Sequence, residues 1–308
     1  MRHAVVVGSS RFLVASAALL VLAIATSCAA PPVDPRHPYP PTGNTRTFDL
    51  TVRDTEWVVG PGAIYNAWTY DGTIPGPTLE VTAGDLVVIH LRNDSTHPAS
   101  IHTHVVEFPQ AEDGVDATSI AMPGETVTVH WNARFAGAFP YHDHASEGEG
   151  VARGLFGALI VHAPDEASAN EHVVVLGDLD QANFRQLPGI ADPITGMIPT
   201  EGTYRGPHEY MHTINGHAYE DAIPHFTGRV GDLSRWRVIS IGSETHTWHI
   251  HGHRWVDLDG SLTDNILLGP GQYRTFEFEE DAPGSWLVHC HFPTHMEGGM
   301  MTRYDVVR

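Results

Sequence analysis

The chain reads as an all-β protein made of two copies of one β-sandwich domain, and three observations predict this. Apolar residues come in short alternating runs, such as Leu86-Val-Val-Ile-His-Leu91, Thr126-Val-Thr-Val-His-Trp131 and Trp236-Arg-Val-Ile-Ser-Ile241, the two-residue period of half-buried strands. Clusters of Gly, Pro and Asp separate the runs, and no long segment carries a helical period, which is the pattern of a sandwich. The chain also repeats itself: 38 residues separate His104 from His142 and likewise His251 from His289, so a shift of 147 maps one block onto the other.

Other features obey that shift. Gly84-Asp85 falls on Gly231-Asp232, Pro123-Gly124 on Pro270-Gly271, and Gly137 on Gly284. A repeat of this length sets the domain count at two, each of ordinary size. The expected domains are residues 44–163 and 172–308, with a linker near Pro164 to Asn170. The Pro- and Gly-rich stretch Gln181 to Tyr210 is expected to be a long loop early in the second domain, placed for a subunit contact.

Ahead of the first domain, residues 1–28 read as an export signal, with Arg2 and Arg11 followed by the apolar run Phe12 to Ala25, too short for a membrane span. The run ends in Ala25-Thr-Ser-Cys28, similar to a lipoprotein cleavage site, so lipid on Cys28 is expected, with ordinary secretion as the alternative. Residues 29–43 form a Pro-rich tether, six prolines lying between Pro31 and Pro41, which makes a stiff spacer. The 17 basic residues are all arginine and stand against 37 acidic ones, a net charge of −20. That charge argues against nucleic acid and anionic membrane surfaces as partners. With Cys28 used in processing and Cys290 in the motif below, no disulfide forms within a chain.

The densest chemistry lies near the C-terminus, in His289-Cys290-His291-x3-His295-x4-Met300. A thiolate, imidazoles and a weak axial thioether make the ligand set of an electron-transfer copper site. On an extended strand, neighbouring side chains point to opposite faces. Cys290 would then serve one metal while His289 and His291 reach toward others. Shifted back by 147, Cys290 lands on Asp143, His295 on Gly148, Met300 on Arg153 and His246 on Ala99. The first domain therefore lacks the thiolate site. The four His-x-His pairs, at 102/104, 142/144, 249/251 and 289/291, are divided equally between the domains. Eight imidazoles are too many for one ion and suit a cluster.

The motifs Ile101-His-Thr-His104, Tyr141-His-Asp-His144, His246-Thr-Trp-His-Ile-His251 and His289-Cys-His-x3-His-x4-Met300 resemble the four copper motifs of multicopper oxidases. With one thiolate copper in the second of two domains, the chain is similar to the two-domain bacterial laccases over residues 44 to 308. The resemblance implies two cupredoxin-like Greek-key domains and four coppers per chain. His246, Cys290, His295 and axial Met300 would bind the type 1 copper, and His102 and His249 the type 2 copper. His104, His142, His144, His251, His289 and His291 would bind the type 3 pair. The implied activity is one-electron oxidation of phenols or aromatic amines coupled to four-electron reduction of dioxygen, with electrons passing from Cys290 to His289 or His291. It further implies a homotrimer with the cluster between subunits, although the sequence alone equally permits closure within one chain.

Oxygen reduction consumes protons, and Asp113 is the candidate acid; the plainer reading of Asp113-Gly114 is a turn. Asp143 is a second candidate, expected to point away from the cluster. Phe108 stands where related laccases often carry a tyrosine. Of the 22 histidines, ten are assigned to copper. His90, His97, His130, His162, His172 and the group at 208, 212, 217 and 225 read as surface or loop residues, His253 as a structural hydrogen-bonding residue, and Trp248 and Trp255 as core. The main rivals are an oxidase of Cu(I), Mn(II) or Fe(II), a copper nitrite reductase and a plain electron carrier. Eight cluster histidines and a thiolate in the second domain count against the last two.

Overall fold

The computed structural model describes residues 38–146, 148–186 and 210–308. The export signal, most of the tether and most of the expected loop at 181–210 lie outside these residues. In the first half the strands are β1 (Thr45–Gly60), β2 (Ala63–Tyr70), β3 (Leu79–Thr82), β4 (Asp85–Asn93), β5 (His102–Thr103), β6 (Thr126–Ala133), β7 (Gly137–His142) and β8 (Phe156–His162). One turn of helix, α1 (Glu149–Arg153), precedes β8. The second half begins with β9 (Asn170–Asp180), β10 (Phe184–Gln186), β11 (Tyr210–Ile214), β12 (Phe226–Arg229), β13 (Leu233–Ile241) and β14 (His246–Ile250). It continues with β15 (Trp255–Val256), β16 (Leu262–Thr263), β17 (Asn265–Leu268), β18 (Tyr273–Glu279), β19 (Gly284–His289), α2 (Pro293–Glu297) and β20 (Met301–Val307).

Each half is a pair of sheets. The first stacks β10-β2-β1-β4-β6 on β3-β8-β7-β5, and the second stacks β11-β9-β13-β18 on β12-β20-β19-β14-β17. The all-β, cupredoxin-like class holds. Strand β4 shows why: its residues alternate between buried and partly exposed along Asp85–Asn93, so one face can be apolar while the other meets solvent. Leu50, Val87, Ile89, Leu91, Val129 and Trp131 from one sheet meet Leu79, Phe139, Tyr141 and Leu159 from the other. Each such buried side chain contributes about 1.5–3 kcal/mol. The second core gathers Trp236, Trp248, Ile250, Trp255, Phe276, Val288 and Tyr304, and it includes Cys290 and Met300. A third apolar cluster, with Tyr65, Phe156, Ile160, Val175, Leu179, Phe184 and Ile239, joins the two sandwiches.

Two expectations are corrected. The segment after Gln181 is not loop throughout, because Phe184–Gln186 pairs with β2 of the first half. Phe184 drives this, buried with its ring 4.6 Å from that of Tyr65. His172 and His212 are not surface residues: both are buried. His172 lies on β9 against Trp236, ring centroids 4.3 Å apart, and His212 is taken up below. His208 lies outside the described residues.

The passage between the halves is held by charge. Arg235 and Arg237 on β13 have side chains only 2% and 1% exposed, so their charges must be paired. Arg235 Nη1 donates to Glu171 Oε1 at 2.7 Å, and Arg237 Nε donates to Glu171 Oε2 at 2.6 Å. Arg237 Nη2 also reaches Glu166 Oε2 at 2.8 Å, and that oxygen lies 2.8 Å from His162 Nδ1 at the end of β8. Burial opposes the charge on Glu171, but the two guanidinium groups overcome it and lower its pKa to about 2. Since the folded-state pKa is depressed, the Glu171 contribution is full above its ordinary value of 4.5 and fades as pH falls toward 2. Glu171→Gln should cost about 2–3 kcal/mol of unfolding free energy near neutrality. Urea unfolding across pH should show that gap closing between roughly pH 4.5 and 2; a gap constant with pH would remove the ionic account.

Candidate metal centres

The segment 289–300 carries the first centre. β19 brings His289 opposite Met301 of β20 and opposite His249 of β14, which leaves Cys290 at the point where the chain turns away. There Cys290 Sγ lies 3.7 Å from His295 Nδ1, and His295 Nδ1 lies 3.2 Å from His246 Nδ1. The Thr247 amide donates to Sγ at 3.4 Å. Pro293 at the start of α2 sets the helix that holds His295. The loop returns with Met300 N donating to His295 O and Cys290 N to Met300 O, at 3.0 and 3.1 Å. Gly299 has φ +105°, and a Cβ there would lie 2.9 Å from the Tyr219 nitrogen, so glycine is required for this return. Cys290, Met300 and His246 are fully buried. Burial would raise the Cys290 thiol, but His246, His295 and the Thr247 amide lower it to about 5. Burial would lower His246, yet Asp178 and the thiolate raise it to about 9. A thiolate ready to ligate is therefore favoured at neutral pH.

The eight remaining histidines form two sets of four. In the first half, β5 pairs His102 with His142 of β7, exactly as far along the repeat as β14 pairs His249 with His289 in the second. His104 Nε2 comes within 3.2 Å of His142 Nε2, and His251 Nε2 within 3.1 Å of His289 Nε2. Ring contacts join each set internally. Among the described residues no such contact joins the two sets. His142 and His289 donate Nδ1–H to the carbonyls of Asp143 and Cys290, at 3.1 and 2.9 Å. His102 and His249 do the same to the carbonyls of Asp113 and Asp264, at 2.9 and 2.7 Å. These bonds fix the tautomer and leave each Nε2 with a bare lone pair directed at its neighbours. Burial, aided by neighbouring rings, keeps His104, His144, His251 and His289 below the usual imidazole range, and lowers His142 to about 3. Converging imidazole nitrogens here, and a thiolate with two imidazoles at Cys290, fit copper.

Asp113 does meet the first set: its Oδ1 lies 3.0 Å from His102 Nδ1. It also closes the turn that its neighbour Gly114 continues at φ +90°. Phe108 contributes only a ring edge against His102, with centroids 5.6 Å apart. Asp143 points away from the histidines as expected. Its Oδ1 accepts from Ser100 N at 2.7 Å, and its Oδ2 from Ser146 N at 3.0 Å. Ser100 and Thr247 are equivalent under the repeat. His144 N donates to Ser100 Oγ as His291 N donates to Thr247 Oγ1, at 3.0 and 2.6 Å. The first half thus keeps the anion and its donors where the second half has the thiolate.

Sequence reasoning passed over four residues around Cys290. Thr247 holds both the sulfur and the His291 amide. His212 stacks on His295 with centroids 3.8 Å apart. Asp178 lies 3.0 Å from His246 Nε2, and Glu244 lies 2.9 Å from His295 Nε2. Glu244 and Thr247 adjoin the His246 motif, whereas Asp178 and His212 carry no local signal at all. Asp143→Ala would strand the Ser100 and Ser146 amides and should lower apo-protein stability by roughly 2–4 kcal/mol in chemical unfolding. A variant as stable as the parent would show that water replaces the carboxylate.

Two family models, each described as multicopper oxidase, match residues 51–166 and 194–308. The chain is 33% identical over 261 residues to a probable nitrite reductase–hydroxylamine oxidoreductase fusion protein of Kuenenia stuttgartiensis, covering 78% of this chain and 29% of that protein. It is 29% identical over 264 residues to human ceruloplasmin, covering 76% of this chain and 24% of ceruloplasmin. The chain therefore spans 24% to 29% of the length of these two curated relatives. The solved blue copper oxidase of Nitrosomonas europaea superposes with a TM-score of 0.70 at 28% identity, covering 85% of this chain and 86% of that one. The two models fall one on each half of the fold, and the chain belongs to the multicopper oxidase family.

Proposed function

We propose that the protein is a laccase-like oxidase that takes single electrons from phenols or aromatic amines and reduces dioxygen to water. The observation that carries this is the division of labour around Cys290. Its sulfur faces His246 and His295, while its chain neighbours His289 and His291 contact His249 and His251. Bound copper, four ions per chain as one type 1, one type 2 and two type 3, would supply the one-electron couple and the oxygen-reducing centre. The protein supplies the rest. His246, His295 and the Thr247 amide keep the thiol ionised, and Met300 is held beside it by the 290–300 turn. The peptide chain makes Cys290 continuous with His289 and His291, and Thr247 braces that link through its bonds to Sγ and the His291 amide. Asp113, against His102 and partly exposed, is placed to hold a proton at the edge of the cluster.

Each histidine set is open on one side, with His144, His251 and His291 exposed. Apolar Val105 and Val115 lie near the first set and Leu262 near the second, all exposed in one chain. Val115 and Leu262 are equivalent under the repeat. This supports a homotrimer in which one copy's first half closes on the next copy's second half. Export, with lipid on Cys28, belongs to the same reading and rests on residues 1–28.

One observation favours a second substrate class. Glu244, with a side chain 39% exposed, places a carboxylate beside His295 Nε2, which suits a cationic reductant such as Fe(II), Mn(II) or Cu(I). The relative named as a nitrite reductase fusion keeps that activity as a third reading, which eight cluster histidines disfavour.

Copper per chain in the fully loaded protein, with oxygen uptake on a phenol, an aromatic amine and Fe(II), separates these. Four coppers with uptake on the aromatic donors support the proposal; two would indicate the nitrite reductase arrangement and one an electron carrier. Cys290→Ser should abolish the intense blue absorption and oxidation while leaving the fold intact. His104→Ala should keep the colour and lose oxygen uptake, and uptake at the wild-type rate would remove His104 from the cluster.

A further inference from the structure

Asp178 belongs to none of the histidine or cysteine motifs and sits at the end of β9, its side chain fully buried. Four groups converge on it. Oδ1 accepts from His212 Nδ1 at 2.9 Å and lies 3.0 Å from His246 Nε2. Oδ2 accepts from the amides of Ser243 and Glu244, at 3.0 and 2.8 Å. Gly242 has φ +137°, and a Cβ there would come within 2.5 Å of Oδ2, so the loop can close on the carboxylate only with glycine. Through the Glu244 amide, the same carboxylate places the Glu244 side chain at the outer edge of His295.

The first half contains its counterpart. β1 pairs Val52 with Asn93, and β9 pairs Leu176 with Ser240. Asn93 and Ser240 are equivalent under the repeat, so Asp54 stands where Asp178 stands. Asp54 Oδ2 accepts from Thr96 N at 3.2 Å and Thr96 Oγ1 at 2.9 Å, and Thr96 is the equivalent of Ser243. The shared task of this aspartate is to anchor the loop. Contact with His246 exists only in the second half, because the equivalent of His246 is Ala99. Asp54 is also 40% exposed at its side chain, where water screens its charge.

We propose that Asp178 is a positioning residue of the thiolate centre: its carboxylate, 3.0 Å from His246 Nε2, leaves Nδ1 as the nitrogen that faces the metal and holds down the reduction potential of copper bound there. This rests on the reading of Cys290, His246 and His295 as copper ligands. A ligand ring whose second nitrogen faces a buried anion becomes a stronger electron donor to the metal. A fixed negative charge in a dry site also favours the more positive oxidised state. His212 moderates both effects, since it donates to the same oxygen that faces His246.

The test is a redox titration of the copper-loaded protein, followed at the thiolate absorption band and by electron paramagnetic resonance. Asp178→Asn should retain the band and raise the potential. His212→Phe keeps a ring against His295 but removes the donor, so it should lower the potential; it also keeps the inference testable if Asp178→Asn does not fold. Asp54→Asn removes the equivalent loop anchor and should leave the potential unchanged. A potential that stays fixed in both Asp178→Asn and His212→Phe, or moves equally in Asp54→Asn, overturns the inference while leaving the ligand assignment standing. A wild-type protein that binds copper without the thiolate band would overturn the assignment itself, and the inference with it.

Discussion

Adjacent residues on an extended chain must face opposite ways, and this constraint organises the second half of the molecule. Cys290 turns its sulfur toward His246 and His295, so His289 and His291 are directed to the other side, against His249 and His251. For that to happen β19 must lie between β14 and β20. The chain must also double back within ten residues to present His295 and Met300. The Pro293 helix start, the Gly299 turn and the bonds from Cys290 N and Met300 N accomplish this. The buried aromatic core of Trp236, Trp248 and Tyr304 fixes the strands that make the return accurate.

The first half shows what the frame demands when no thiolate is present. A buried turn leaves amides that need acceptors, and Asp143 supplies them to Ser100 and Ser146. Replacing a thiolate by a carboxylate keeps one negative charge and the amide donor that Ser100 and Thr247 share, so the sandwich can lose the whole centre without losing the turn. The pairing of Asp54 with Asp178 extends the point. In both halves an aspartate on the first long strand ties down the loop before the first His-x-His pair. Only in the second half does a histidine of the thiolate centre stand close enough to feel it. A centre of this kind is built by adding a few side chains to an anchor already present.

This is also why the sequence revealed some of the site and not the rest. Close spacing and a strict repeat made the eight paired histidines, His246, Cys290, His295 and Met300 legible, since each lies inside a short motif and most have a partner 147 residues away. The residues that brace them are gathered from distant strands. Asp178 reaches His246 from β9, and His212 reaches His295 from β11, with only sheet topology to bring them near. A lone histidine among Pro and Gly reads as surface, and His212 is buried because β11 pairs with β9. Phe184–Gln186 was hidden for a related reason: three residues give too short a period to signal a strand, and a neighbouring edge captures them.

The two centres differ in what they need for completion. Every group that sets the thiolate centre, from Asp178 to Met300, comes from a single chain and from its second half, so that centre forms with the fold. Among the described residues no ring contact joins the two histidine sets within a chain. Each leaves outer imidazoles in water and apolar side chains uncovered beside them, surface that a monomer gains nothing by exposing. Under the proposed closure between copies, each interface would join one set from each partner. Electron uptake would then be a property of the chain and oxygen reduction a property of the assembly. Cys290, covalently joined to one half of each cluster, is the point at which the two meet.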